Sequence, residues 1–593
     1  MTLNHWQCYN CFGEAFMSYI KKLNKKLYKA FDGMVEARED SGLLVLSGKL
    51  PTWQAVIRAG EMSVNKKLYY GLVNDILCAQ KPSPPRMPAL KDNALSNDSP
   101  DVLIIGGGVV GCAIARELSR YKLDVLLVEK EHDLAMQTSG RNDGMVHSGV
   151  DLKKGTQKYL YNRAGNKMFE QICSELGVAF ERTGHYICFR EMKWKPIMYL
   201  SLIYWFWLGL RKVKVLSGTK LRKLEPNISP NVRSALFYPS NGKVCPYNLT
   251  IAYAENAVEN GVRVFLDSVV LDMEVSDGLI KSVSTNRGRI RPKLVINAAG
   301  VFCEEISKMA RDRFYSIHPR KGTNAVLDKK FSDMIINKSI SSFSTVATRK
   351  AHTKGGGIIR TTGGNVLIGP DAVETIEKED FSTARQSVLG TIIRQGQTIP
   401  VLSEDKIITY FSGVRACTYE EDFVISKGKF TKNIIHAAGI QSPGLTAAPA
   451  IGVKIAQMAA ELLGGFNSIG VNDTFNPVRD VAPRLSELSD YARAEMINKN
   501  PDYGKIICRC EEISKGEILD ALRRNIPCDS VDGVKRRVRP GMGRCQGSFC
   551  GPLIVDIIAS EMHIPHNSVI KSGDRSELLF GVLKSKKEVR ENG

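Results

Sequence analysis

Asp101-Val-Leu-Ile-Ile-Gly106-Gly-Gly108-Val-Val-Gly111-Cys-Ala-Ile-Ala is a β-branched apolar run that breaks into glycines and resumes with helical spacing. That order fits a buried parallel strand, a tight turn and a helix. Asp124-Val-Leu-Leu-Val128 is a second strand, and it ends in the acid Glu129. Strand, GxGxxG, helix, strand and acid together form a dinucleotide-binding fingerprint. Gly106 permits the turn, Gly108 lets backbone approach a pyrophosphate, and Gly111 packs helix on strand. The helix start, at Val109 and Val110, offers N–H groups and a positive dipole end to phosphate. Glu129 is placed to accept from ribose hydroxyls, which disfavours a 2′-phosphate.

Outward from this unit, three further segments carry information. Thr138-Ser-Gly-Arg-Asn-Asp-Gly-Met-Val-His-Ser-Gly149 is a polar, glycine-rich loop after the second strand. Leu294-Val-Ile-Asn-Ala-Ala-Gly300 is an apolar strand ending in small residues, and Ile434 to Gly452 reads as strand, turn and helix. The set, over about residues 101–465, resembles the D-amino-acid-oxidase-like superfamily of FAD-dependent oxidoreductases. The resemblance implies an α/β fold: an FAD-binding Rossmann-like domain with an antiparallel-sheet substrate domain. It also implies FAD contacts at Gly106, Gly108, Val109, Val110, Gly111, Glu129 and Lys130. Further contacts are implied at Thr138, Ser139, Asn142, Gly144 and Met145, and at Ala299 and Gly300. The last are Gly439, Gln441, Ser442, Pro443, Gly444 and Leu445.

Near the C-terminus stand Cys508-Arg-Cys510 and Cys545-x4-Cys550. Four thiolates satisfy one [2Fe–2S] cluster, and the pairs sit among Gly, Arg and Gln rather than in an apolar core. Zinc is the chemical rival, but structural zinc sites seldom use C-x-C. Residues 506–579 resemble the bacterioferritin-associated-ferredoxin-like [2Fe–2S] domain, a small helical unit. A flavin domain fused to such a unit is similar to the large subunit of the anaerobic glycerol-3-phosphate dehydrogenase family. The Ser139–Gly149 loop also resembles that of L-2-hydroxyglutarate oxidases, and Asp143 departs from both patterns.

Oxidation of an alcohol needs a base for the hydroxyl proton and a cation for an anionic substrate. His147 in the flavin loop is a candidate base, with an orienting histidine as the alternative. Arg415, in Ser412-Gly-Val-Arg415-Ala416, matches the superfamily's Gly-x-Arg-Pro segment, whose arginine faces substrate; Ala416 replaces the proline. A planar fork suits phosphate or carboxylate. His318-Pro-Arg320-Lys321-Gly322 is similar to a Pro-x-Arg-Gly segment, so Arg320 or Lys321 adds positive charge. Gly363–Pro370 resembles a hairpin over the flavin. The expected reaction is dehydrogenation of a small anionic hydroxy compound, glycerol 3-phosphate first, with electrons passing through the cluster to a protein partner or quinone. The alternatives are a 2-hydroxyacid dehydrogenase or oxidase, an amine or imino-acid dehydrogenase, and an electron relay without organic substrate.

At 593 residues and 43% hydrophobic, the chain holds several cores. Residues 1–36 read as a helical basic leader with no signal peptide, and Cys8-x2-Cys11 is a lone pair. Residues 37–78 resemble a small BON-like α/β module, whose family role is association with membranes or partners. Residues 79–100 are proline-rich and read as a semi-stiff linker. Residues 466–504 are a connector, and 505–593 hold the cluster domain. Fourteen scattered cysteines exclude a disulfide framework and point to a reducing cytoplasm. The net charge of +20 comes without a nucleic-acid-binding motif, so no nucleic acid is expected. Lys535-Arg-Arg-Val-Arg539 beside the second cysteine pair can steer an acidic partner. Ile197–Leu210 is the most apolar stretch, too short to span a bilayer. It reads as a helix packed on the substrate domain, with peripheral membrane contact as the alternative.

Overall fold

A computed structural model describes residues 3–335, 338–343, 356–482 and 484–581, leaving out the side chains of 3–15, 466 and 467. Cys8 and Cys11 thus have side chains outside the described residues. The chain forms two compact units, Met1–Lys130 with Leu134–Arg479, and Asp480–Gly593 with Glu131–Asp133.

The first unit opens with helix α1 (Leu3–Phe31), strands β1 (Val35–Asp40) and β2 (Leu43–Leu50), helix α2 (Trp53–Met62) and strand β3 (Leu72–Cys78). The strands form a sheet in the order β1-β2-β3, with β2 and β3 parallel. The helical leader packs on this sheet. Phe16, Ile20, Leu23, Leu27 and Phe31 recur every three or four residues, and that stripe shares one core with Leu44, Leu46, Val56 and Leu72. The proline-rich segment 79–100 is tied to the rest of the unit. Glu377 and Glu379 accept the Ser83 and Arg86 backbone N–H groups, and Leu95 is fully buried. Carboxylates brought from far along the chain satisfy a backbone that proline had barred from regular structure.

Next come β4 (Val102–Ile105), α3 (Val109–Leu118) and β5 (Val125–Val128). All four residues of each strand are buried, as a sheet covered on both faces requires. The six-stranded sheet runs Arg263–Phe265, β5, β4, Leu294–Asn297, Ile434–Ala438, Val424–Lys427. Only the last strand is antiparallel. Helix α3 packs against Gly444–Leu462, where a Cβ on Gly452 would lie 2.9 Å from the Ala113 carbonyl oxygen. Helix α4 (Gln157–Glu175) packs on that same helix. A second sheet of nine strands, mostly antiparallel, is centred on the long pair Ile317–Leu327 and Ile407–Thr418. It includes the hairpin of Gly357–Arg360 and Val366–Gly369. Helix α5 (Lys195–Trp207) lies at one side of this unit. Among the described residues no helix is long and apolar enough to cross a membrane.

The second unit has a small hairpin (Ile506–Cys508 and Ile513–Ser514) and helices Lys515–Arg523, Val531–Val538 and Gly551–Met562. Ser514 and Glu517 form a reciprocal cap on the first of these. The connector is divided: residues up to Arg479 belong to the first unit, and Asp480 onward to the second.

Candidate active site

Four segments of the first unit converge at the C-terminal ends of β4 and Ile434–Ala438. Gly106 has φ +114°, and a Cβ there would sit 2.5 Å from the Ala298 oxygen. A Cβ on Gly111 would sit 2.0 Å from the Gly106 oxygen, so the helix meets the turn only because both are glycine. Ser139 Oγ accepts from the Val109 N–H at 2.9 Å and would lie 3.1 Å from a Cβ on Gly108. Thr138 Oγ1 donates to the Val414 carbonyl, linking the polar loop to the strand of Arg415. Asn142 Oδ1 accepts from the Gly144 N–H at 2.9 Å and holds the loop in shape, while Met145 is buried. Glu129 accepts from the Gly107 N–H at 2.5 Å. Lys130 is ion-paired to Glu379 at 2.6 Å, and its ammonium lies over the Phe302 ring.

These residues fit FAD on features of their own. Gly300 follows Ala299 with φ +56°, and a Cβ there would meet nothing within 4 Å, which leaves open space beside the glycine turn. Gly439 also has positive φ, and Pro443 precedes helix Gly444–Leu462, whose first residues are Gly444 and Leu445. The helix therefore starts just after Gln441 and Ser442, and its positive end faces this turn.

His147 is held by its backbone. Its N–H donates to Thr446 Oγ1 at 2.9 Å, and its carbonyl accepts from Asn162 at 3.2 Å and Asn166 at 2.9 Å. The loop is thus fastened to both packed helices.

The register of the long strand pair sets Arg320 directly opposite Arg415. Two like charges so placed repel unless one is compensated. Arg320 is the compensated one. It is buried, paired to Glu374, and bonded to Glu421 at 2.8 Å. The positive charge expected of it is thus offset by two carboxylates in this structure. Lys321 is likewise paired to Asp380. Arg415 differs. Its Nη2 donates to the Asp371 carbonyl at 3.1 Å and its Nη1 to the Lys321 carbonyl at 3.5 Å, and no described carboxylate pairs with it. Burial pushes its guanidinium below the ordinary value. Gly322 makes the space, since a Cβ there would lie 2.2 Å from Arg415 Nη2.

Glu421 is a site residue that the motifs do not mark. Burial pushes its carboxyl up, but Arg320 and Lys158 more than offset this and hold it at about 2. It accepts from Gln441 Nε2 at 2.6 Å, and Cys417 Sγ donates to Gln441 Oε1 at 3.0 Å. The acidic run Glu420-Glu421-Asp422, directly after the Arg415 segment, is the one signal of it in the sequence.

In the second unit Cys510 Sγ lies 4.0 Å from Cys545 Sγ. A hydrogen bond from Cys550, with amides of Gly541, Glu511 and Cys510, holds the Cys508 thiol down at about 6. Burial pushes Cys545 up, but amides of Gly547 and Phe549 outweigh it and leave the thiol below its usual value. Thiolate sulfurs cradled by backbone N–H groups suit an iron–sulfur cluster. A Cβ on Gly543 would lie 2.3 Å from Cys510 Cβ, so glycine is required for the loops to meet. Cys550 stands at the start of helix Gly551–Met562, and its hydrogen bond to Cys508, with burial, pushes its own thiol up. The basic run 535–539 is not an open steering surface. Arg536 and Arg537 bind Asp133 at 2.8 and 2.9 Å within this unit, and Arg539 binds Glu511 at 3.0 Å.

A nucleotide cradle beside a desolvated arginine, with two thiol pairs in the other unit, points to a flavin- and iron–sulfur-dependent oxidoreductase. The chain belongs to the FAD dependent oxidoreductase family, whose model matches residues 101–458, and residues 506–560 match the BFD-like [2Fe-2S] binding domain. It is 38% identical to a glycerol 3-phosphate dehydrogenase of Caloramator mitchellensis, over 82% of this chain and 99% of that one. An anaerobic glycerol-3-phosphate dehydrogenase subunit of Escherichia coli K12 is 25% identical, over 77% of this chain and 87% of its own. Among solved structures, the FAD-bound L-alpha-glycerophosphate oxidase of Mycoplasma pneumoniae superposes with a TM-score of 0.58. It is 27% identical and covers 65% of this chain and 100% of that one.

Proposed function

We propose that this protein oxidises glycerol 3-phosphate at its secondary hydroxyl and passes the electrons to a partner protein or quinone. The observation that carries the reading is Arg415, a desolvated guanidinium that among the described residues is bonded to carbonyls alone. A phosphate dianion satisfies such a fork at two points. FAD supplies the two-electron acceptor and the cluster a one-electron relay. The chain does the rest. Arg415 holds the substrate anion, and the loop fastened by Thr446, Asn162 and Asn166 holds His147 to take the hydroxyl proton. Glu421 fixes Gln441 and neutralises Arg320, which keeps Arg415 the stronger anion site of the pair. The relatives named for glycerol 3-phosphate support the choice of substrate. Anaerobic flavin bleaching tests it. Glycerol 3-phosphate is expected to bleach the flavin fastest; faster bleaching by L-2-hydroxyglutarate or proline would replace the substrate.

A further inference from the structure

Helix α5 is built against the usual pattern of a surface helix. Met198 packs with Phe189, Leu236 and Tyr238, and Trp205 meets Tyr238 edge-on at 5.3 Å, so one side is rooted in the first unit. The opposite side exposes Tyr199, Leu200, Ile203, Tyr204, Phe206 and Trp207. At 100° per residue these six occupy about half the circumference, and no charged side chain interrupts them. Leu200, Ile203, Phe206 and Trp207 are 59% to 83% exposed. An apolar face so continuous marks an interaction surface rather than scattered exposure.

The flanks identify what covers it. Residues 190–214 carry Arg190, Lys193, Lys195, Arg211, Lys212 and Lys214 against one acid, Glu191. All of this positive charge lies at the two ends of the helix, and the apolar and aromatic residues lie between. Lys193 is paired to Glu191, whereas Arg211, Lys212 and Lys214 stand exposed. The helix has 13 residues, about 20 Å, against a hydrocarbon core of about 30 Å, so it cannot cross. Leu202, Ile203, Phe206 and Leu210, with Arg211 and Lys212, line an open hollow of about 310 Å³. Tyr and Trp beside Lys and Arg suit the headgroup level of a bilayer.

We infer that α5 seats the protein on an anionic lipid surface, its apolar face in the acyl boundary and Arg211, Lys212 and Lys214 on lipid phosphates. The seat is coupled to the active site through helix α4. Arg163 of α4 donates to the Leu208 carbonyl at the end of α5, and Asn162 and Asn166 of α4 hold the His147 carbonyl.

The test is sedimentation of the purified holoenzyme with protein-free vesicles. Vesicles of equal parts phosphatidylglycerol and phosphatidylcholine are expected to carry the protein down, and phosphatidylcholine alone about tenfold less. Raising salt from about 0.1 M to about 0.5 M should weaken the binding. Leu200→Asp with Trp207→Asp, and separately Arg211→Gln with Lys212→Gln, should each cut vesicle binding about tenfold or more, with flavin content and substrate bleaching unchanged. Trp207→Phe should retain binding. Wild-type protein that stays in the supernatant with the anionic vesicles overturns the inference, as it would if α5 docks on another protein. Undiminished binding by both double variants overturns it equally.

Discussion

Arg320 and Arg415 stand opposite each other on one strand pair, yet among the described residues only Arg320 has carboxylate partners. Glu374 and Glu421 make the difference, and it sets two expectations. Arg415→Lys should leave FAD bound but lower kcat/KM roughly 30- to several-thousand-fold, about 2–5 kcal/mol, because an ammonium cannot reproduce a two-point fork. Anaerobic flavin reduction by glycerol 3-phosphate measures this; equal rates in variant and wild type would remove Arg415 from the site. Glu421 gives the pH dependence. Its folded value, about 2, lies below the ordinary carboxyl value of 4.5. Its stabilising contribution is therefore complete above about pH 4.5 and is lost as pH falls toward about 2. Glu421→Gln should flatten that part of the thermal-stability profile relative to wild type. Parallel profiles would show that Glu421 is not coupled to Arg320 as drawn.

At the level of elements, the turn between β4 and α3 depends on close backbone approach. Gly111→Ala places a methyl 2.0 Å from the Gly106 oxygen, and neither partner is a flexible side-chain end. The helix must shift, so the variant should purify with little FAD; near-full flavin absorbance would refute the packing argument. This element was legible in sequence because its determinants are local: β-branched runs, glycines and an acid within about thirty residues. The thiol site was legible for the same reason, since each cysteine pair is tightly spaced and the second lies in a glycine-rich loop. Elements set by distant partners were not. The proline-rich segment reads as a semi-stiff linker, and nothing in its own residues announces that Glu377 and Glu379 bind it. The basic run 535–539 reads as open surface until Asp133 and Glu511 are placed against it. Arg320 matched a motif, and only strand register and two remote carboxylates reveal that its charge is neutralised.

For the whole molecule, the two cofactor sites are built from separate sets of residues in separate units. The nucleotide site rests on the six-stranded sheet, while the four cysteines are held by a hairpin and the start of one helix. Loss of one should therefore spare the other. Cys545→Ser removes a thiolate that backbone amides are arranged to receive, so the purified variant should lack acid-labile sulfide and most iron while keeping full flavin content. Its flavin should still bleach with glycerol 3-phosphate at close to the wild-type rate, because Arg415 and His147 are untouched. Turnover with the physiological acceptor should fall sharply, since the one-electron route is gone. The two readings separate the roles. Loss of bleaching along with iron would mean that the cluster supports the flavin site itself. Unchanged acceptor turnover would mean that electrons leave the flavin directly, and the cluster would then lie off the route.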